Sequence, residues 1–165
     1  MPSLEELRKL PLRPCVGITL FNPQGLVFTG KRIDTTIEAW QMPQGGIDKG
    51  EDAKAAAFRE LEEETGVTKA RVIAEMPGAL DYNLPDDLLG VALKGKYRGQ
   101  RQNWFAMLYE GDDAEINIET AHPEFDEWQW LPLERLPDVI VPFKKELYVK
   151  IVKAFLPVRN TLIGA

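Results

Sequence analysis

The chain has one cysteine, Cys15, and one histidine, His122. An internal disulfide is therefore excluded, and a zinc site built from Cys and His is nearly so. A Ser-His-Asp hydrolase would have to use His122, and no Gly-x-Ser-x-Gly elbow accompanies it. No apolar run exceeds a few residues, too few for a membrane-spanning helix. The opening Met1–Glu6 carries acids where a secretion signal has a basic flank and an apolar stretch. Excess positive charge is missing as well. Against 20 Lys and Arg stand 26 Asp and Glu, a formal net charge of −6, which argues against a broad basic face for nucleic acid. The hydrophobic share of 44 % and charged share of 28 % exclude global disorder. These absences leave a reduced, cytoplasmic protein whose 165 residues suit one domain. Any metal in it must be held by oxygen atoms.

Charge is distributed unevenly. Residues 93–103 carry Lys94, Lys96, Arg98 and Arg101 and no acid, whereas residues 110–127 carry eight acids and no Lys or Arg. Solvated loops are the plain account of such runs. A basic patch for a polyanion beside an acidic patch for a cation is the sharper one.

Local patterns sketch the elements. Ser3 with Glu6 three residues on marks a capped short helix over Leu4–Leu10, halted by Pro11 and Pro14. Val16–Phe21 and Leu26–Arg32 read as a hairpin around Asn22-Pro23-Gln24-Gly25. Trp40–Gly46 reads as a Pro/Gly loop. Glu51–Glu64 is a helix by propensity, closed at Gly66. Ala70–Met76, Asn103–Tyr109 and Phe125–Leu131 read as strands, with Pro77–Gly99 irregular. Val141–Phe155 repeats apolar residues at helical spacing and is expected to stop at Pro157. Strands plus two substantial helices predict an α/β domain with a mixed sheet covered by helices.

The 51–64 helix breaks a local rule. Glu62, Glu63 and Glu64 crowd its C-terminal turn, where the helix dipole already concentrates negative charge. Glu60 and Glu64 add a like-charged i,i+4 pair, worth roughly 0.2–0.5 kcal/mol of destabilisation. At 100° per residue, Glu60, Glu63 and Glu64 share a face with Ala53, Ala56 and Ala57, small residues that leave room for an approaching ion. Phe58 and Leu61 are expected on the core side. For a single Glu, a solvated face is the better account. For the set, a concentrated violation marks a functional site, and several carboxylates suit a hard divalent cation.

The same segment is part of a longer pattern. Gly45, Glu51 and Arg59-Glu60-Leu61-x-Glu63-Glu64-x-Gly66-Val67 match the Nudix box at every defined position. The chain thus resembles the Nudix hydrolases. The resemblance implies an α/β/α sandwich with a mixed sheet, the whole of 1–165 forming one Nudix domain with its core near 13–156 and its box at 45–67. It implies Mg²⁺ or Mn²⁺ held by Glu60, Glu63 and Glu64 with a carbonyl near Gly45. Glu51 and Arg59 become a pair that supports the box. A carboxylate must take the proton of the attacking water, and Glu63, Glu64 or another Glu could do so.

Outside the box, Arg13-Pro14-Cys15-Val16-Gly17, Trp40–Gly46, Gln100–Phe105, Pro123-Glu124-Phe125 and Phe143-Lys144 resemble the bacterial RNA pyrophosphohydrolases. Tyr82, 16 residues past Gly66, is similar to a tyrosine of the related dinucleoside polyphosphate hydrolases. The resemblance implies removal of pyrophosphate from 5′-triphosphorylated RNA, or alternatively cleavage of diadenosine tetra- or pentaphosphate. It adds Glu124 to the metal ligands and the catalytic carboxylates. Arg13, Gln44 and Gln100 would face phosphates, Arg32 and Phe143 would sandwich a base, and Tyr82 would line the substrate site. From periodicity alone, Phe143 fits equally well as a core residue of the last helix. The basic stretch Lys94–Arg101 could hold an RNA backbone or a polyphosphate tail. Trp40, Trp104, Trp128 and Trp130 are expected mostly in packing. A non-catalytic Nudix-fold protein is disfavoured, because Glu51, Glu60, Glu63 and Glu64 are all present. Neither a membrane association nor a DNA-binding module is expected.

Overall fold

The structure, a computed structural model, describes residues 1–33 and 37–164. Its elements run α1 (Leu4–Leu7), β1 (Leu12–Phe21), β2 (Leu26–Arg32), β3 (Trp40–Gln41), β4 (Gln44–Gly46), α2 (Ala53–Thr65), β5 (Ala70–Glu75) and β6 (Leu80–Asn83). Then come β7 (Gly99–Tyr109), β8 (Phe125–Pro132), α3 (Leu136–Val139) and α4 (Lys145–Ile163).

The apolar run Cys15–Phe21 explains the architecture. It is buried along its whole length, as a strand covered on both faces must be. It lies parallel to β7, with Leu12 opposite Gly99 and Phe21 opposite Leu108. The sheet runs β3-β2-β1-β7-β5, with β4 on β1, β6 on β7 and β8 on β2. On one face, Val16, Ile18, Leu20, Phe28, Phe105 and Met107 pack with Ala56, Ala57 and Leu61 of α2. On the other, Phe21, Trp104 and Ala106 pack with Leu147, Tyr148, Ile151 and Phe155 of α4. A mixed sheet between helices is the expected sandwich.

Several expectations need correction. The β1–β2 hairpin is barely paired, at Phe21 and Val27 alone, because β2 zips to β8 over Leu26–Arg32 instead. Trp40–Gly46 holds two short strands, and the stretch expected to be irregular contains β6, both recruited by neighbouring strands. The first helix ends at Leu7. Pro157 lies inside α4, which continues to Ile163 and is capped by Gly164. A helical proline costs about 3 kcal/mol. Here Val158 and Leu162, beyond it, still pack on the core and offset that cost.

Helix α2 is also corrected on one face. Ala56 and Ala57 are fully buried against the sheet, so the small residues serve close helix–sheet packing and do not open a channel for an ion. Leu61 joins that core, while Phe58 stays exposed at 36 %. Trp104 is buried, and Trp128 stacks on Phe28 at 5.6 Å, consistent with packing roles. No helix among the described residues is long and apolar enough to cross a membrane.

Candidate metal centre and substrate pocket

Two caps fix α2. The Asp52 carboxylate accepts the Ala55 N–H at 3.2 Å. Gly66 ends the helix in the left-handed region at φ 72°, which a side chain would disfavour. The helix is further clamped to the preceding loop by Arg59. Its guanidinium donates to both Glu51 oxygens at 2.8 Å and to the Gly46 carbonyl at 2.9 Å. Glu51 in turn accepts the Asp48 N–H at 3.0 Å. This bidentate pair holds the Glu51 carboxyl at about 2, well under the usual glutamate value.

The expected support pair is thus present as geometry. Arg59 also reaches Glu60 at 3.0 Å and Glu63 at 3.2 Å. Gly45 lies directly against the Glu60 carboxyl, and any Cβ at Gly45 would overlap it. The glycine lets the loop touch the acidic helix.

Glu60, Glu63, Glu64 and Glu124 line one cavity of about 340 Å³, together with Glu62, Thr120 and His122. Glu64 is only 6 % exposed. Its one hydrogen bond within the described residues is from the Gln44 N–H at 3.3 Å. Burial pushes its carboxyl well above the ordinary value, and the negative charges of Glu60 and Glu124 add to the push. Burial also raises Glu60, against the pull of Arg59. The Thr120 hydroxyl is buried in the same wall and has no hydrogen-bond partner among the described residues.

Among the described residues, no three acidic, His or Cys side chains are already closed round one point. The reason is visible in the partners. Arg59 draws Glu60 and Glu63 to itself, Gln44 takes Glu64, and four anions repel one another. The donor set still fits a hard divalent cation: carboxylate oxygens, one of them deeply buried, with an unsatisfied hydroxyl beside them. Cys15 is buried in β1, its thiol pushed up to about 11, and supplies no soft ligand.

A second cavity of about 300 Å³ brings together Arg32, Gln44, Tyr82, Gln100 and Phe143, five of the six residues expected to meet substrate. Phe143 is 39 % exposed and lies outside the core, which removes the packing alternative. Its ring is 6.1 Å from that of Tyr82. The sixth residue, Arg13, does not line this cavity, though its charge reaches both Tyr82 and Glu60. Its guanidinium sits over Gly46 and lines a separate pocket with Lys94 and Lys96.

Two residues escaped the sequence reading. Lys144 is 5 % exposed, lines the second cavity, and holds its ammonium 5.2 Å from the Tyr82 ring and 5.8 Å from the Phe143 ring. A lysine beside a named aromatic was the available signal, but lysine ordinarily reads as surface. Gln102 is the other. Its amide donates to Gln100 at 2.8 Å and to Gln44 at 3.4 Å, and its carbonyl accepts from the Trp104 indole at 2.8 Å. Residues 100, 102 and 104 share one face of β7, so alternation alone could have aligned them.

Comparison with known proteins agrees with this geometry. The NUDIX domain family matches residues 11–151, and the chain belongs to the Nudix family. It is 56 % identical over 153 residues to an RNA pyrophosphohydrolase of Roseobacter denitrificans, covering 92 % of this chain and 96 % of that one. It is 51 % identical over 157 residues to an RNA pyrophosphohydrolase of Rhizobium meliloti, covering 88 % and 94 %. Among solved structures, a C. elegans Ap4A hydrolase binary complex aligns with a TM-score of 0.63 at 21 % identity, covering 88 % and 98 %. That last likeness carries the fold alone.

Proposed function

We propose that this chain is an RNA 5′-pyrophosphohydrolase. It converts 5′-triphosphorylated ends to 5′-monophosphates, releases pyrophosphate, and so exposes transcripts to decay in the cytoplasm. The observation that carries the reading is the junction at Gln44. Its backbone N–H bonds a carboxylate of the acidic cavity while the residue lines the Arg32–Phe143 cavity. A site for phosphate charge and a site for a base therefore adjoin. Curated relatives at 51–56 % identity with the matching name support the RNA end as substrate.

In this reading Glu60, Glu63, Glu64 and Glu124, helped by the Gly45 carbonyl, hold Mg²⁺ or Mn²⁺. Such an ion, when bound, neutralises phosphate charge and acidifies water. Glu51 and Arg59 keep the acidic helix on its loop. One of Glu63, Glu64 and Glu124 takes the proton of the attacking water. Gln44 and Gln100, aligned by Gln102, face the phosphates, as does Arg13 from the Gly46 side. Arg32 and Phe143 stack a base of the RNA, over a floor of Tyr82 and Lys144.

The test is a side-by-side assay of 5′-triphosphorylated RNA and diadenosine tetraphosphate, with Glu64→Gln as the blank. A higher kcat/KM on RNA, with pyrophosphate and monophosphorylated RNA as products, is expected. Faster cleavage of the dinucleotide, with RNA barely touched, would make this a dinucleoside polyphosphate hydrolase.

A further inference from the structure

We propose that Lys94 and Lys96, on the outer wall of the pocket they share with Arg13, hold backbone phosphates of the RNA downstream of its first nucleotides. The proposal rests on the reading of the substrate as an RNA end. It starts from the basic stretch 93–103, whose four cations the structure divides into two kinds. Arg98 donates to the Asn83 side chain at 2.8 Å, and Arg101 pairs with Asp81 at 2.9 Å. Both are occupied. Lys94 and Lys96 are exposed, and neither they nor Arg13 make an ion pair among the described residues.

All three cations line one pocket of about 260 Å³ with Leu93 and Tyr97, and no acid lines it. The chain has an excess of six acids, and its other cations commonly find carboxylates: Arg8, Lys31, Lys54, Arg59, Lys69, Arg71 and Arg159 all do. Arg13 also feels Glu60, whereas Lys94 and Lys96 converge in this pocket with no carboxylate, which makes them a site for an anion.

The backbone is bent to make this pocket. Leu93 (φ 56°, ψ 37°) and Lys94 (φ 58°, ψ 21°) both lie in the left-handed region, followed by Gly95 at φ 69°. Side chains rarely adopt this conformation, which persists only where the surroundings hold it. Position decides which phosphates fit. Leu93 is a wall of both this pocket and the Arg32–Phe143 cavity. A chain whose base lies in that cavity passes Leu93 to reach Lys94 and Lys96. Neither lysine lines the acidic cavity where the triphosphate must react. Lysine ammoniums grip phosphates without reading sequence, which suits a backbone contact.

The experiment compares the full chain with its Lys94→Ala/Lys96→Ala variant on a triphosphorylated dinucleotide and on a single-stranded RNA of about 12 nucleotides. In the unsubstituted protein the longer RNA is expected to have the higher kcat/KM. In the variant, kcat/KM on the longer RNA falls about tenfold through KM, while the dinucleotide changes less than about twofold. The slope of log(kcat/KM) against log[salt] on the longer RNA flattens by about 1.4, two single-strand phosphate contacts at ~0.7 each. Lys94→Arg/Lys96→Arg restores both. Equal losses on the two substrates would assign the lysines to the triphosphate and overturn the proposal. So would no loss on either, with the melting temperature unchanged. Equal kcat/KM on both RNAs by the unsubstituted protein overturns this pocket's role while leaving the substrate reading intact. Cleavage of neither RNA by the unsubstituted protein overturns both.

Discussion

Glu51 stands just before helix α2 and Glu64 in its last turn, and their surroundings push them in opposite directions. Glu51 meets a bidentate arginine and a backbone N–H, and its carboxyl is held at about 2. Glu64 is buried with a single N–H and with Glu60 and Glu124 nearby, and its carboxyl is pushed well up. Both belong to the same 23-residue box, residues 45–67. The first is a charge satisfied inside the fold, and it stabilises. The second is a charge the fold alone leaves poorly satisfied, and its cost falls when a cation arrives. Concentrated violations of local electrostatics of this kind belong to function.

The most severe way to test the contrast is to neutralise each member. Glu64→Gln keeps the shape and removes a proposed ligand. Turnover should fall by at least about 10²-fold, since cation stabilisation of the transition state is worth several kcal/mol. The same variant without metal should melt at a higher temperature than the parent, because a buried anion is gone. Near-normal kcat/KM, or a lower melting temperature, would break the comparison.

Arg59→Lys attacks the satisfied end. Lysine cannot make the fork to Glu51 or reach Gly46 at the same time. Loss of an outer partner of a metal site costs about 10–100-fold in activity or metal affinity. Unlike Glu64→Gln, this variant should melt lower than the parent. Circular-dichroism melts beside steady-state kinetics separate the two.

How much of this was legible beforehand follows the same division. The box, the helix end at Gly66 and the whole of β2 could be read from residue type and spacing, while the Asp52 cap appears only in the structure. The set Arg32, Gln44, Tyr82, Gln100 and Phe143 came from the family resemblance, and the structure gathers all five in one cavity. What escaped depends on long-range partners. β6 carries too little alternation to stand alone and exists because β7 pairs with it. Pro157 signals a helix end, yet the core beyond it keeps α4 going. Lys144 has the composition of a surface residue, yet it is buried beside Tyr82, which β6 brings to it from far along the chain. Arg13, expected to face phosphates, lines a pocket next to the cavity that gathers the other five residues, a position set by β1.

Metal addition sharpens the comparison further. Mg²⁺ or Mn²⁺ at about 100-fold over its Kd adds roughly 2.7 kcal/mol to folding. For a chain of this length that is roughly 5–10 °C in melting temperature. The gain should nearly vanish in Glu64→Gln and persist, at higher metal concentration, in Arg59→Lys. An unchanged melting temperature in the parent at saturating metal would remove the cation from the account of Glu64.

The smallest effect is the metal-free dependence on pH, where the two glutamates should pull in opposite senses. Glu64 has its folded value above the unfolded one of 4.5, so the native state binds the extra proton. Stability from this group is greatest below about pH 4.5 and falls as pH rises towards its raised value, by at most about 1.4 kcal/mol per pH unit. Glu51 has its folded value below 4.5, so its contribution is complete above that pH and is lost as pH falls towards about 2. The stability of Glu64→Gln relative to the parent should therefore grow as pH rises above about 4.5. The deficit of Glu51→Gln should stay constant over that range and shrink only below pH 4.5. Urea melts at a series of pH values without metal give both slopes. Parallel curves for the parent and Glu64→Gln would mean that Glu64 ionises normally despite its burial, and the contrast between the two ends of the helix would rest on Arg59 alone.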